Sequence, residues 1–204
     1  MTRIAVVDHG AGNLVSIEQG LQVAGADTKI VTSPKELSGA DAIVLPGVGS
    51  TGAAMRRLQH DGFDTALAEW AKPLLGICVG LQLLFTRSEE ADGAALGLLD
   101  GVVRKLPAKR LPHMGWNDVA ASKDPIFEGV PGETPFYFVH SYAPEPTQDN
   151  IVIGTTEYSG QSFVAAIRSA NLLGVQFHPE RSGRNGLLVL ANFVRSIEAG
   201  NCAA

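Results

Sequence analysis

Residues 74–82 read Leu74-Leu75-Gly76-Ile77-Cys78-Val79-Gly80-Leu81-Gln82, an apolar run that leads through Gly-x-Cys-x-Gly into a helical pattern. Strand, tight turn and helix in this order are typical of a nucleophile elbow, here with cysteine in place of serine. Glycines are needed on both sides because so tight a turn leaves no room for side chains. The pattern predicts a Cys78 sulfur above the carboxyl edge of a sheet, where the helix N-terminus favours a thiolate. A buried, inert structural cysteine is the alternative.

Alternating apolar runs and helical patterns surround this turn in the first half of the chain. Strands are predicted at 4–7, 28–32, 42–45 and 74–77, and helices at 14–23, 51–58, 63–71 and 81–86. Continuous apolar strands between helices indicate a parallel sheet that is covered on both faces.

The second half of the chain has a different pattern. Strand-like runs follow one another at 102–103, 113–119, 136–142, 151–156, 163–167 and 173–177, and a helix is predicted at 185–197. Short turns between the runs indicate antiparallel strands added to the sheet or beside it. We therefore predict an α/β fold in which residues 1–204 form a single domain.

A cysteine nucleophile needs a general base, and the chain has five histidines: His9, His60, His113, His140 and His178. His178 is favoured because it ends the apolar run 173–177 and has an acid two residues further on. Pro179 is expected to keep this segment extended, so that Glu180 lies on the same side as His178 and orients its ring. Two alternatives stay open, namely a pair of metal ligands without a third, and a strand end at the surface.

Backbone amides near Cys78 offer an oxyanion hole. The amide of Val79 follows the cysteine directly, and the loop Pro46-Gly47-Val48-Gly49 ends a strand at the same predicted edge of the sheet. We expect Val79, Val48 and Gly49 to supply the donors, with an ordinary helix-entry turn as the alternative for the loop.

Composition narrows the classes of function. The 204 residues include 45% hydrophobic and 18% charged side chains, as in globular chains, with a net charge of −5 and no basic run. These values argue against binding to nucleic acid or to an anionic membrane surface. The only two cysteines, Cys78 and Cys202, cannot build a disulfide framework or a structural zinc site. We expect a cytoplasmic protein with no metal and no cofactor.

A nucleotide cofactor is also not expected at the first glycine-rich turn. Gly10-x-Gly12 follows the first predicted strand, but the third glycine of a dinucleotide fingerprint is replaced by Val15.

Taken together, Gly76-Ile77-Cys78-x-Gly80-x-Gln82 and the later His178-Pro179-Glu180 resemble the class I, triad-type glutamine amidotransferases. The segments 112–117, 136–142 and 174–180 are similar to one group in this family, glutaminase subunits that supply ammonia to a cyclase in histidine biosynthesis. The resemblance extends from about Ile4 to Val194. It implies a three-layer sandwich with a mostly parallel central sheet, helices on both faces and extra antiparallel strands in the second half.

The resemblance also implies residue roles. Cys78 attacks the carboxamide of glutamine, His178 acts as base and then as acid, and Glu180 orients His178. The glutamine pocket is implied to be lined by four further residues: Gln82, Glu90, Ser141 and Tyr142.

The implied partner is a (β/α)₈-barrel cyclase, which forms a heterodimer with the glutaminase. We expect Trp116 and Tyr137 at this interface, because aromatic residues often anchor interfaces, with core packing as the alternative. Arg181 is expected there too, although the family usually has lysine at this position and an arginine changes the contact geometry. His9 likewise replaces the usual tyrosine.

Two alternative functions stay open. One is a related enzyme, such as a glutaminase subunit of the anthranilate synthase type or a γ-glutamyl hydrolase, against which the segment 112–117 argues. The other is a flavodoxin-like binding module without activity, against which the set Cys78, His178 and Glu180 argues.

Overall fold

The computed structural model of the chain describes residues 1–90 and 93–200. The strands of these residues are β1 (Arg3–Val7), β2 (Asp27–Val31), β3 (Ala42–Leu45), β4 (Leu74–Ile77), β5 (Phe85–Ser88), β6 (Gly93–Ala94), β7 (Leu99–Lys105), β8 (His113–Ala121), β9 (Thr134–His140), β10 (Tyr142–Pro146), β11 (Val152–Tyr158), β12 (Gln161–Ser169) and β13 (Leu172–Val175). The α-helices are α1 (Leu14–Val23), α2 (Thr51–Asp61), α3 (Phe63–Ala68), α4 (Val79–Leu83) and α5 (Gly183–Glu198).

The main sheet has a parallel half and an antiparallel half. Its strand order within the described residues is β2-β1-β3-β4-β13-β12-β11-β8-β9. The neighbours from β2 to β13 all run parallel, and every later pair is antiparallel. The strands β3 and β4 are buried along their whole length, which explains why they are continuous apolar runs.

Helices cover both faces of the parallel half. The connection from β1 through α1 to β2 moves toward one edge of the sheet, whereas the connection from β3 through α2 and α3 to β4 moves toward the other. Because such crossovers are right-handed, the two sets of helices lie on opposite faces. The C-terminal helix α5 packs against α1 and therefore shares its face.

A second, smaller sheet has the order β10-β7-β5-β6. The expected helix at 81–86 is wrong in its second half, because α4 ends at Leu83 and strand β5 of this sheet begins at Phe85. The amides of Leu96 and Gly97 bind the carbonyls of Leu83 and Phe85, so these carbonyls are used in the sheet region instead of in a helix. No helix among residues 1–90 and 93–200 is long and apolar enough to cross a membrane.

The expected strand at 136–142 is in fact two strands. β9 ends at His140 in the main sheet, and β10 begins at Tyr142 in the second sheet. Ser141 lies between them, and its carbonyl accepts a hydrogen bond from the amide of Leu106. The expected antiparallel strands are thus found both in the main sheet and beside it, while the single-domain boundary stays a prediction.

Candidate active site

The Cys78 turn has the geometry of a strained elbow. Cys78 links β4 to α4 with φ 54° and ψ −107°, a backbone conformation that is costly for a residue with a side chain. A Cβ atom on Gly80 would stand 1.7 Å from the carbonyl oxygen of Leu45, and one on Gly76 would stand 2.7 Å from the backbone of Gly80. Both glycines are therefore required by close packing of backbone on backbone, as the spacing predicts.

The Cys78 side chain is only 2% exposed. Its sulfur lies 3.5 Å from Nε2 of Gln176 and 3.9 Å from the carbonyl oxygen of Val139. Buried sulfur atoms are common in structural cysteines, but this one has polar neighbours on two sides and a titratable neighbour in His178. The other cysteine of the chain, Cys202, lies outside the described residues.

His178 stands beside the cysteine and is held by Glu180. Its Nδ1 donates to Oε1 of Glu180 at 2.9 Å, and both side chains are almost completely buried. The expected extended segment is wrong, however, because Pro179–Arg181 form a short 3₁₀ turn. Proline suits the first position of such a turn because its fixed φ is already helical and its missing N–H is not needed.

The pKa of His178 reflects two opposing influences. Burial disfavours the imidazolium and lowers the pKa, but the neighbouring Cys78 and Glu180 outweigh burial and raise it to about 10. Nε2 of His178 and Oε2 of Glu180 are buried and have no hydrogen-bond partner in the part of the chain that the structure describes. Nε2 is thus the ring atom that remains available for a proton from the thiol or from a substrate.

The loop before α2 holds the amide of Val79. The Val79 N–H donates to the carbonyl oxygen of Gly47 at 3.4 Å. Because the N–H and C=O of a trans peptide point in opposite directions, the Val48 N–H faces away from Val79. Gly49 adopts φ +86°, and Val48 is partly exposed. Val48 and Gly49 are thus far from Val79 in sequence but close to it in space, and in this conformation the N–H groups of Val48 and Val79 do not converge.

Three of the four residues expected in a glutamine pocket lie together where the two sheets meet. Gln82 is buried, and its Nε2 donates to the carbonyl oxygen of Tyr142 at 2.8 Å and to Oε1 of Gln176 at 3.1 Å. Ser141 and Tyr142 are half-buried at the junction of β9 and β10. Both hydrogens of the Gln82 amide are therefore already used in hydrogen bonds within the protein.

The side chain of Glu90, which follows β5, contacts the first residue of α2. Its Oε2 accepts hydrogen bonds from the backbone N of Thr51 at 2.7 Å and from Oγ1 of the same residue at 3.1 Å. The carboxylate thus satisfies a free N–H of the first helical turn, which places Glu90 against the segment that follows the Gly47–Gly49 loop.

The other histidines differ sharply in their surroundings. His60 is 82% exposed and lies 4.0 Å from Asp61, whereas His9 is buried with Nε2 2.6 Å from the carbonyl oxygen of Pro46. His113 and His140 are buried against each other, with Nδ1 of the first 3.1 Å from Nε2 of the second. Within the described residues, none of these four rings has a carboxylate at hydrogen-bond distance as His178 has.

The residues expected at a partner interface form one cluster. Trp116 is 58% exposed, which excludes core packing for it, and its ring contacts that of Tyr137 edge to face at 6.2 Å. The Arg181 guanidinium also packs on this cluster, 5.2 Å from the Tyr137 ring centre. The backbone of Tyr137 also contacts the turn that begins at His178, since its carbonyl accepts a hydrogen bond from the amide of His178 at 2.8 Å.

Gln176 was not predicted as a site residue, although the signal was present in the sequence. It precedes His178 by two residues just after β13, and alternate residues of an extended chain point to the same side. Among the described residues, no group of three or more His, Cys, Asp or Glu side chains is arranged to hold a metal ion.

A known protein family matches this chain over nearly its whole length. The sequence model of the family "Glutamine amidotransferase class-I" matches residues 5–197. The chain belongs to the class-I glutamine amidotransferase family. The resemblance drawn from its motifs is thereby confirmed, as is the prediction of an enzyme.

Curated relatives narrow the position within the class-I glutamine amidotransferases. The chain is 48% identical to imidazole glycerol phosphate synthase subunit HisH of Moorella thermoacetica, over 98% of this chain and 99% of the relative. The same protein of Pyrococcus furiosus is 45% identical, over 96% of this chain and 100% of the relative.

Solved structures confirm the predicted fold class. A protein from Thermoplasma acidophilum that is described as a GMP synthase subunit superposes with a TM-score of 0.76 at 25% identity, covering 98% of this chain and 96% of that one. The structure of PurLQS from Thermotoga maritima has a TM-score of 0.73 at 20% identity, over 95% and 98% of the two chains, and shows a shared fold.

Proposed function

We propose that this chain is the glutaminase subunit of an imidazole glycerol phosphate synthase, and that Cys78, His178 and Glu180 form its catalytic triad. The observation that carries the chemistry is the position of His178, which has Cys78 beside it and Glu180 bound to its Nδ1. The near full-length identity with HisH subunits supports the choice of synthase over the anthranilate and γ-glutamyl hydrolase alternatives.

The proposed reaction begins with proton transfer from the Cys78 thiol to Nε2 of His178. The raised pKa of His178, about 10, favours this transfer because it stabilises the imidazolium beside the sulfur. The thiolate attacks the carboxamide carbon of glutamine, and the imidazolium then protonates the departing ammonia. His178 next takes a proton from water, which attacks the γ-glutamyl thioester and releases glutamate and the Cys78 sulfur.

Glu180 acts through His178 alone. Its carboxylate fixes the proton on Nδ1, so that Nε2 faces the reacting atoms, and it stabilises the imidazolium in both half-reactions.

The developing oxyanion needs donors that are not all available in this conformation. We propose that rotation of the Gly47–Val48 peptide frees the Val79 N–H and turns the Val48 N–H toward the oxyanion, with Gly49 allowing the movement. The structure thus supports a resting state in which the hole is closed by the Gly47 carbonyl.

We propose that glutamine binds at the junction of the two sheets. Ser141 and Tyr142 offer backbone and side-chain groups for its polar ends, and Glu90 supplies an acceptor for its ammonium group. Gln82 fixes the Tyr142 carbonyl and hence the shape of this pocket.

Ammonia is proposed to pass to a (β/α)₈-barrel cyclase bound through the cluster of Trp116, Tyr137 and Arg181. There it combines with a phosphoribosyl formimino intermediate to give imidazole glycerol phosphate and an aminoimidazole carboxamide ribotide. The exposed Trp116 and the packing of Arg181 on Tyr137 support a docking surface at this place.

The test uses Cys78→Ala in complex with the cognate cyclase. Glutamate release should fall to the background level, while ammonia-dependent synthesis by the complex and co-purification of the two chains persist. A diazo-ketone analogue of glutamine should label Cys78 in the wild-type complex, and a Cys202→Ala control should label equally well. Retained glutamate release by Cys78→Ala, or labelling mainly at Cys202, would refute the assignment.

A further inference from the structure

Next to Cys78 lies a buried hydrogen-bond network whose member Gln176 has no role in the proposed reaction. Gln176 is 0% exposed, and its Nε2 lies 3.5 Å from the Cys78 sulfur. Its Oε1 is 3.1 Å from Nε2 of Gln82, which also lies 2.8 Å from the carbonyl oxygen of Tyr142. Nδ1 of His140 is 2.8 Å from the same carbonyl. Buried polar groups arranged in this way must match each donor with an acceptor.

The Tyr142 carbonyl determines the direction of every bond in the network. A carbonyl oxygen only accepts, so the NH₂ group of Gln82 faces it, and the second hydrogen of that group points at Gln176. Gln176 must then present its oxygen to Gln82 and its NH₂ group to the sulfur. The sulfur of Cys78 therefore receives a donated N–H.

The histidine pair keeps this direction fixed. Nδ1 of His140 carries the proton that it donates to Tyr142, so its Nε2 accepts from Nδ1 of His113. Nε2 of His113 in turn accepts from the amide of Asn117 at 3.3 Å. Both rings are neutral in this arrangement, and burial, which lowers the pKa of His140 to about 3 and that of His113 to about 4, agrees with it.

We propose that Gln176 is a further catalytic residue, which donates its amide N–H to the Cys78 sulfur, and that Gln82 is the residue that positions it. The proposal rests on the proposed glutaminase function and deepens it. A neutral amide cannot take a proton from the thiol, so it stabilises a negatively charged sulfur without competing with His178. The thiolate is the attacking group in the first half-reaction and the leaving group in the second. One donor therefore serves both halves.

The experiment measures Cys78 alkylation by iodoacetamide in the isolated full-length chain, with Cys202→Ser as background so that one thiol reports. Gln176→Met keeps the length of the side chain but removes the donor. We expect alkylation at pH 7 to slow about tenfold, the equivalent of one hydrogen bond to a charged group. The difference should shrink at about pH 10, where thiols ionise without help. A packing defect alone would not give this pH dependence.

Two further variants complete the test. Gln82→Met leaves Gln176 in place but removes the group that orients it, so we expect a smaller slowing with the same pH dependence. Gln161→Met changes an exposed glutamine and should react at the wild-type rate. Circular dichroism and thermal melting show whether each variant is folded.

If Gln176→Met does not fold, Gln176→Glu replaces it, because the carboxylate still accepts from Gln82 but turns an oxygen toward the sulfur and should slow alkylation further. Folded Gln176 variants that react at the wild-type rate at pH 7 would overturn the proposal. Alkylation needs neither glutamine nor a partner. A chain that hydrolyses no glutamine with any cyclase would therefore remove the proposed function and leave this result unaffected.

Discussion

The partner of each ring nitrogen determines what a buried histidine does in this protein. His178 and His140 are both buried, yet the pKa of His178 is raised to about 10 and that of His140 is lowered to about 3. His178 has Cys78 beside it and a carboxylate on Nδ1, whereas His140 has a backbone carbonyl on Nδ1 and a neutral imidazole on its other nitrogen. Sequence alone favoured His178 because Glu180 is two residues away. It gave no sign that His113 and His140 meet, since that contact comes from the pairing of β8 with β9.

The roles proposed for His178 and Glu180 predict losses of different size. His178→Ala should reduce kcat for glutamine hydrolysis by on the order of 10⁶, because without a base the cysteine cannot react. Glu180→Gln should cost less, about 10⁴, since it disturbs only the proton on Nδ1 and the stability of the imidazolium. The double variant should be no slower than His178→Ala, because the two residues act as one unit.

These rates are measured with the cyclase complex at saturating glutamine. Glu180→Gln at the wild-type rate would reduce the site to a Cys–His dyad, and additive losses would show that the two residues act independently.

Among the elements, the elbow was the most predictable and its surroundings the least. Gly76 and Gly80 indicated the turn because only glycine tolerates the backbone contacts found there. The end of α4 at Leu83 was missed, because apolar residues at 81–86 fit a helix as well as a buried strand. The turn at Pro179–Arg181 was missed for a similar reason, since proline is unfavourable inside a helix but is common at its first position.

The packing of α4 on β3 predicts a large effect of one methyl group. In Gly80→Ala the new Cβ would stand 1.7 Å from the Leu45 carbonyl oxygen, and neither backbone can move without displacing the elbow. We expect a loss of about 3 kcal/mol or more in the free energy of unfolding, measured by urea denaturation. Gly132→Ala is the matched control, because nothing lies within 4 Å of its new Cβ, and it should stay within about 0.5 kcal/mol of wild type.

The histidine pair between β8 and β9 predicts that the protein loses stability in acid, at pH values well above those at which carboxylates titrate. The pKa values of His113 and His140 are lowered by burial, so the unfolded chain binds protons at pH 6.5 that the folded chain does not. Stability from these two groups is present above pH 6.5 and is lost as the pH falls toward 4. Between pH 6.5 and 5 the free energy of unfolding should drop by on the order of 2 kcal/mol.

Urea denaturation at several pH values measures this slope. His113→Phe keeps the stacking of the ring with Phe138 and Tyr158 but removes one titrating group, so its slope should be smaller. His60→Gln changes an exposed histidine and should keep the wild-type slope. An equal slope in all three proteins would show that the pair does not titrate as its burial implies.

At the scale of the molecule, the site is assembled from strand ends that lie far apart in sequence. β4 and β13 are parallel neighbours in register from Leu74 with Leu172 to Ile77 with Val175, so Cys78 and His178 leave the sheet side by side. The apolar runs predicted both strands, but not that the last strand inserts between β4 and β12. That order depends on which edges and faces the chain can bury together, information that a local pattern does not contain.

The oxyanion hole that we propose is closed in this conformation, and this predicts that the isolated chain is a poor glutaminase and that its partner activates it. In the structure the Val79 N–H donates a hydrogen bond to the Gly47 carbonyl at 3.4 Å, and the Val48 N–H faces away. A bound oxyanion would therefore lack both donors. Losing a single such donor costs on the order of 10²–10³ in rate, and one peptide rotation would restore both. Tyr137 contacts both regions, because its ring contacts Trp116 and Arg181 while its carbonyl accepts a hydrogen bond from the amide of His178. Glutamine turnover should therefore rise from the isolated chain to the cyclase complex, and again by at least about 10² when the cyclase substrate binds.

Trp116→Ala should weaken the complex without changing the slow turnover of the isolated chain. Equal turnover in the three states would mean that the Gly47–Val48 peptide rotates without help from the partner once glutamine is bound, and the glutaminase would then be active constitutively.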